Sequence, residues 1–247
     1  MTPTLLVTRP RPQCADWLAR LAALGVKAAA LPLIEILPAR DPGPVQAAWA
    51  ALQAVDLAVF VSPNAVEQFF AHALGSWPAH ALAACVGPGS AQALLDRGVP
   101  AAQVVQPAAD AASLDSEHLW AQLSPRRDWA GARVLLLRGD GGREWLAQRL
   151  AEAGACVDAV TVYHRAAPRF DAAGQALLHA ALADPAGHVW LFSSAEAVGH
   201  LHGFRLAGQR AIATHPRIAD AARDAGFAPV VLARPDPEAV TRALKGL

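Results

Sequence analysis

Short apolar runs and longer stretches of helical spacing alternate along this chain. The short runs, rich in Leu and β-branched residues, cover 5–8, 57–61, 82–86, 104–106, 133–138, 188–192, 210–214 and 230–233. Each is followed by polar, Gly or Pro residues and then by an Ala/Leu-rich segment with apolar positions three and four apart. Strands that alternate with helices in this way predict an α/β protein, with parallel sheets covered by helices.

The pattern repeats once. An offset of 129 residues pairs Arg9 with Arg138, Arg20 with Arg149, Leu21 with Leu150, Gly25 with Gly154 and Arg40 with Arg169. Further on, FVSPNAV from Phe60 resembles FSSAEAV from Phe192, and Gly98 and Gly226 stand where helix C-cap glycines are expected. Two weakly similar halves of four strands each are therefore predicted, since a period this long indicates duplicated domains and not a solenoid. AAALPLIEILPAR, ending at Arg40, and VDAVTVYHRAAPR, ending at Arg169, interrupt the rhythm. Both read as extended linker strands able to pair with each other between domains.

Composition narrows the function. At 247 residues, with 54% hydrophobic and 17% charged, the chain can bury a sizeable core. No apolar run reaches the roughly 18 residues of a membrane span, and the N-terminal segment lacks a basic region followed by a long apolar one, so the cytoplasm is expected. Basic and acidic residues balance at 21 each, which gives no argument for nucleic acid. Only Lys27 and Lys245 are lysines. The arginine-rich remainder suits carboxylates and phosphates, and equally fits a composition shaped by a GC-rich genome. Cys14, Cys85 and Cys156 form neither a disulfide framework nor a CxxC pair and read as reduced, mostly packed thiols.

Candidate chemistry gathers at the ends of the strands. VLLLRGDGGREWLAQRL runs a strand into glycines that open a helix, a geometry suited to a carboxylate or phosphate or to a tight structural turn. It has neither the Gly-Lys-Ser/Thr of a P-loop nor the third glycine of a dinucleotide fingerprint. Arg9, Ser62, Ser90, Ser194 and Thr214 lie at other strand ends, where open parallel sheets bind ligands. Each hydroxyl there also reads as a helix N-cap. His200 and His202, two apart, make a poor metal pair, and Gly-x-Ser-x-Gly is absent. Tyr163, the single tyrosine, lies in the second linker strand, either as a proton donor or as a packed ring with a wet hydroxyl.

VTRP at Val7, LPLIEILP ending at Pro38, CVGPGSAQALLDRG ending at Gly98, LLLRGDGGREWLAQRLAEAGACVDAVTVYHR and ATHPRIADAARDAGF together resemble the uroporphyrinogen-III synthase family, particularly its proteobacterial members. The resemblance runs from about Leu5 to Leu244. It implies two flavodoxin-like domains, 1–35 with 170–247 and 36–169, joined by a two-stranded β-ladder at about 31–39 and 159–167. Where some members carry Gly-Pro-Thr-Thr, this chain has Ala213-Thr214-His215-Pro216, which leaves Thr214 as the one threonine hydroxyl.

The implied substrate is hydroxymethylbilane, a linear tetrapyrrole with eight carboxylates. Loss of its terminal hydroxyl makes an electrophilic azafulvene on ring A, and attack through the substituted carbon of ring D gives a spiro intermediate whose reclosure inverts that ring. Such chemistry is positioning with electrostatic support and needs no cofactor or metal. Arginines and backbone N–H groups at strand ends are expected to hold the carboxylates, with a phenol or an ordered water assisting departure of the hydroxyl. The candidates are Arg9, Ser62, Ser90, Arg138, Gly141, Gly142, Arg143, Ser194 and Thr214 for substrate binding and Tyr163 as a non-essential proton donor. A monomer with no nucleic-acid or membrane partner is expected, in transient contact at most with the enzyme that makes the bilane. A non-catalytic two-lobed module closing on a small anion would need the same features.

Overall fold

The computed structural model describes residues 2–111, 113–141 and 144–247. By internal contacts it divides into two units, unit 1 of Met1–Glu35 with Ala166–Leu247 and unit 2 of Ile36–Arg165.

Unit 1 holds a five-stranded sheet. Its strands are β1 (Thr4–Val7), β2 (Ala28–Ala30), β9 (His188–Phe192), β10 (Arg210–Ala213) and β11 (Val230–Leu232), in the order β11-β10-β9-β1-β2 with every pairing parallel. Unit 2 holds six strands: β3 (Glu35–Pro38), β4 (Leu57–Phe60), β5 (Leu82–Cys85), β6 (Val104–Val105), β7 (Arg133–Gly139) and β8 (Cys156–Ala166). Their order is β3-β8-β7-β4-β5-β6, and β8, β7, β4, β5 and β6 are mutually parallel.

The repeat explains the two orders. Its offsets match β1 with β7, β2 with β8, β9 with β4, β10 with β5 and β11 with β6. Without β3, the second sheet then reads β8-β7-β4-β5-β6, the counterpart of β2-β1-β9-β10-β11. Both follow the 2-1-3-4-5 order of a doubly wound sheet, whose switch point lies between its first and third strands. In unit 1 that point separates β1 and β9, and in unit 2 it separates β7 and β4.

The expectation of four strands per half is corrected to five and six. The run from Ala28 to Arg40, read as one linker strand, is two strands: Ala28–Ala30 extends the first sheet beside β1, and Glu35–Pro38 lies beside β8 at the edge of the second. Leu31, Leu33 and Ile34 between them are buried. A sheet edge offers unpaired N–H and C=O groups, so an extended segment following a helix is drawn into the ladder.

Parallel strands covered on both faces are apolar at every position. In β4 and β7, Ala58, Phe60, Leu135 and Leu137 face α2 (Gly43–Ala50), α3 (Pro63–Phe70) and α4 (Pro88–Asp96), through Val45, Trp49, Phe69 and Leu94. Leu57, Val59, Val134 and Leu136 face α5 (Ser116–Leu123) and α6 (Trp145–Glu152), through Leu119, Leu123, Leu146 and Leu150. In unit 1, Leu5, Val7, Val189, Leu191 and Ile212 pack on α1 (Arg11–Ala23) and α10 (Pro237–Leu244). That unit also contains α7 (Ala172–Ala183), α8 (Ala195–Gly199) and α9 (Pro216–Asp224). Gly98 and Gly226 follow their helices at φ +82° and +103°, as C-cap glycines do. No described helix is long and apolar enough to cross a membrane.

Candidate functional site

In unit 2 the switch point is occupied by a pair of hydroxyls. Ser62 follows β4 and is the N-cap of α3, where its Oγ accepts the Ala65 N–H at 3.2 Å. Tyr163 Oη lies 3.1 Å from the same oxygen. The Tyr163 ring is buried, at 5% exposure, among the apolar side chains on the α3 side of the sheet.

Strict alternation along β8 would not put it there. Thr161 pairs with Arg138, but Gly139 pairs with Tyr163, so Val162 is an extra residue opposite this step. One inserted residue reverses the facing of everything after it, which is how a β-bulge re-aims a side chain. Val160, Val162 and Tyr163 consequently all reach the same core.

Gly139 makes room for the ring. A Cβ built on it would stand 2.7 Å from Cε2 and 2.8 Å from Cζ of Tyr163. Because the ring is buried, it cannot swing aside freely. Gly139→Ala is expected to destabilise the protein by about 1–3 kcal/mol, as overpacking does. Urea denaturation beside wild type measures this, and an unshifted midpoint would mean that the ring has a second place to lie.

The rest of the glycine segment is tied to the end of β8. The Arg165 backbone N–H donates to Asp140 Oδ1 at 3.2 Å, and Arg165 Nη2 donates to the Asp140 carbonyl at 3.1 Å. Gly141, exposed at φ +80°, turns the chain in a conformation that disfavours side chains. The helix does not open on the glycines themselves, because Gly139 is still in β7 and α6 starts at Trp145 after Glu144. Gly142 and Arg143 lie outside the described residues.

Arg138 is placed on the α6 side. It lines a shallow open groove with Leu136, Glu144, Gln148, Val157 and Ala159, and its Nη2 is 3.6 Å from Glu144 Oε1. The structure therefore brings Ser62 and Tyr163 together but leaves Arg138 on the other side of β7. Ser90 is the third residue of α4, 3% exposed, and does not cap that helix. Gly87 occupies the N-cap position.

The corresponding strand ends of unit 1 carry different contacts. Arg9 follows β1, its guanidinium carbon 4.4 Å from the Trp17 ring centroid and its Nη1 donating to Gln13 Oε1 at 3.2 Å. Burial lowers this guanidinium to about 10, against smaller opposing influences of Cys14 and Asp16, and it stays charged at neutral pH. The ring and the amide hold the cation without neutralising it, which suits it to an anionic ligand. Ser194, at the N-cap position of α8, makes no side-chain cap bond. Thr214 is half-buried after β10, where its backbone N–H donates to Phe192 O at 3.1 Å, and His215 caps α9 in its place. Of the four hydroxyls read as possible N-caps, only Ser62 acts as one.

Cys14 and Cys85 are buried, and burial pushes both thiols up to about 11, whereas Cys156 is exposed. Among the described residues no three His, Cys, Asp or Glu side chains are grouped to hold a metal ion. Sequence reasoning missed the contact of Tyr163 with Ser62 and Gly139, the Trp17 platform under Arg9 and the Asp140–Arg165 tie. Gln13 and Trp17, four apart on one face of α1, were the available signal for the second of these, with Arg9 placed over them by the turn that precedes the helix.

A family model described as uroporphyrinogen-III synthase HemD matches residues 15–242. The chain is 35% identical over 181 residues to the uroporphyrinogen-III synthase of Salmonella typhimurium and 32% identical over 177 residues to that of Escherichia coli, covering 70% of each chain in both cases. The fold is similar to that of uroporphyrinogen-III synthetase from Helicobacter pylori, with a TM-score of 0.59 at 19% identity over 99% of this chain and all of that one. A mutant uroporphyrinogen III synthase from Thermus thermophilus is similar at a TM-score of 0.56 and 22% identity, over 99% of this chain and 100% of that one. The chain belongs to the uroporphyrinogen-III synthase family.

Proposed function

We propose that this protein closes hydroxymethylbilane to uroporphyrinogen III, releasing water and inverting ring D. The observation that carries the reading is the Tyr163 hydroxyl held beside Ser62 at the carboxyl end of β4, where a doubly wound sheet presents its ligand groups. As the hydroxyl on ring A departs, its oxygen needs a proton, and a phenol keeps its proton at neutral pH. Pyrrole nitrogen already drives the departure, so the protein assists that step and governs which carbon of ring D attacks.

The substrate's carboxylates are assigned to Arg9, Ser194 and Thr214 in unit 1 and to Ser90, Arg138, Gly141, Gly142 and Arg143 in unit 2. Support comes from Arg9, Ser90, Gly141, Ser194 and Thr214 following strands, from Arg138 lying near the end of β7, and from the Arg9 guanidinium being held by a ring and a neutral amide. The reading includes two flavodoxin-like domains, 1–35 with 170–247 and 36–169, joined by the strands near 31–39 and 159–167. It also includes a cytoplasmic monomer that needs no cofactor and meets the bilane-producing enzyme transiently at most.

Incubation with freshly generated hydroxymethylbilane tests the proposal through the isomer formed. Spontaneous closure leaves ring D uninverted, so the inverted isomer is expected only with protein present, and it should persist after chelation and desalting. Uninverted product alone would leave a non-catalytic anion-binding module. Activity lost to chelation and restored by one metal would overturn the cofactor-free mechanism.

A further inference from the structure

We propose that Ser62 is a positioning residue that acts through Tyr163, giving its proton to the phenolic oxygen so that the phenolic proton remains available to the substrate. The inference rests on the function proposed above and moves Ser62 from the substrate to the group behind the proton donor.

A serine hydroxyl has one proton and two acceptor positions. One acceptor position of Ser62 is taken by the Ala65 N–H, among the unpaired donors at the start of α3. Accepting there, at the positive end of the helix, makes the Ser62 O–H a stronger donor. Tyr163 Oη stands 3.1 Å from the Ser62 oxygen, a contact in which either hydroxyl can donate, and in the proposed orientation it receives the Ser62 proton. The reverse orientation would turn the phenolic proton onto Ser62 and leave Tyr163 nothing to donate.

Two further features hold the phenol on this line. The Val162 bulge turns the ring to the α3 side, and Gly139 leaves the space in which its edge lies. In the reaction, the C–O bond of the bilane's hydroxymethyl group breaks with its electron pair on oxygen. The phenolic proton joins that oxygen, water leaves, and the Ser62 O–H stabilises the phenolate. A proton lost from the pyrrole system on ring closure then restores the phenol, so atoms and charge balance.

The test is a double-mutant cycle of wild type, Ser62→Ala, Tyr163→Phe and the double variant, read as the rate of inverted isomer from fresh hydroxymethylbilane. Ser62→Ala is expected to lower kcat about tenfold, the effect of one hydrogen bond, with KM changed by less than about twofold. On the Tyr163→Phe background the same substitution should cost less than about twofold, because the group it serves is gone. Ser62→Thr, which keeps the hydroxyl, should recover most of the rate. Ser62→Gly, which retains most of the N-cap stability, should behave as Ser62→Ala and so separates the hydroxyl from the cap. A raised KM, with the full loss surviving in Tyr163→Phe, would return Ser62 to the substrate and overturn the inference alone. A wild type that forms no inverted isomer would overturn the proposed function and this inference with it.

Discussion

Tyr163→Phe is expected to lower formation of the inverted isomer about a hundredfold without unfolding the protein, the low end of the effect of a positioned acid. The substitution keeps the ring, its place over Gly139 and its burial among Val160, Val162 and Leu137. It deletes one oxygen whose partner is Ser62. Ser62 still accepts the Ala65 N–H, so α3 keeps its cap, and the stability cost should be about 1 kcal/mol. Rate, isomer ratio and melting temperature measured together separate the possibilities. Unchanged turnover in a folded variant would reduce Tyr163 to packing, and abolition of the inverted isomer would make its hydroxyl indispensable.

Trp190→Ala should cost more in stability than any change at the site. Trp190 is fully buried in β9, its ring stacked on Phe192 at 6.2 Å between centroids and edge-on to Phe227 at 5.8 Å. Its indole N–H donates to Gln209 Oε1 at 2.9 Å, while Gln209 Nε2 donates to the carbonyls of Ala181 and Leu182. Truncation leaves a cavity and an unpaired buried acceptor, for which about 3–5 kcal/mol is expected against a typical stability of about 5–15. Trp190→Phe fills most of the space but lacks the donor, so its loss should be smaller, about 1–3 kcal/mol. Urea titration of the three proteins measures both effects. A loss below about 1 kcal/mol for the alanine variant would show that the aromatic cluster collapses onto the gap.

Unit 2 also contains a buried glutamine that joins separate segments. Gln103 Nε2 donates to the carbonyls of Pro78 and Ala81, and the Trp77 indole donates to the same Ala81 carbonyl. In both units a glutamine amide serves backbone carbonyls; the indole beside it serves a carbonyl too in unit 2 but the glutamine's own oxygen in unit 1, and pairing of this kind is the ordinary requirement for burying such groups. These partners are distant in sequence, and nothing in the local pattern around Gln103 or Gln209 announces them.

Local physics along the chain determined the α/β class, the eight strands identified by their apolar runs, the duplication and the glycine stops at Gly98 and Gly226. Each rests on residues close together in sequence: apolar runs, helical spacing, or a Cβ-free residue where φ is positive. The strand ends that carry Arg9, Ser62, Ser194 and Thr214 were legible for the same reason. Only the tertiary structure decided that residues 28–40 divide between two sheets, because edge pairing depends on which strand is exposed alongside. It alone put Arg138 and Tyr163 on opposite sides of β7, since the facing of Tyr163 reverses at a one-residue bulge that the period-two pattern does not record. And it alone set the Tyr163 hydroxyl on Ser62, 101 residues away in the chain, in a space that exists because Gly139 has no side chain.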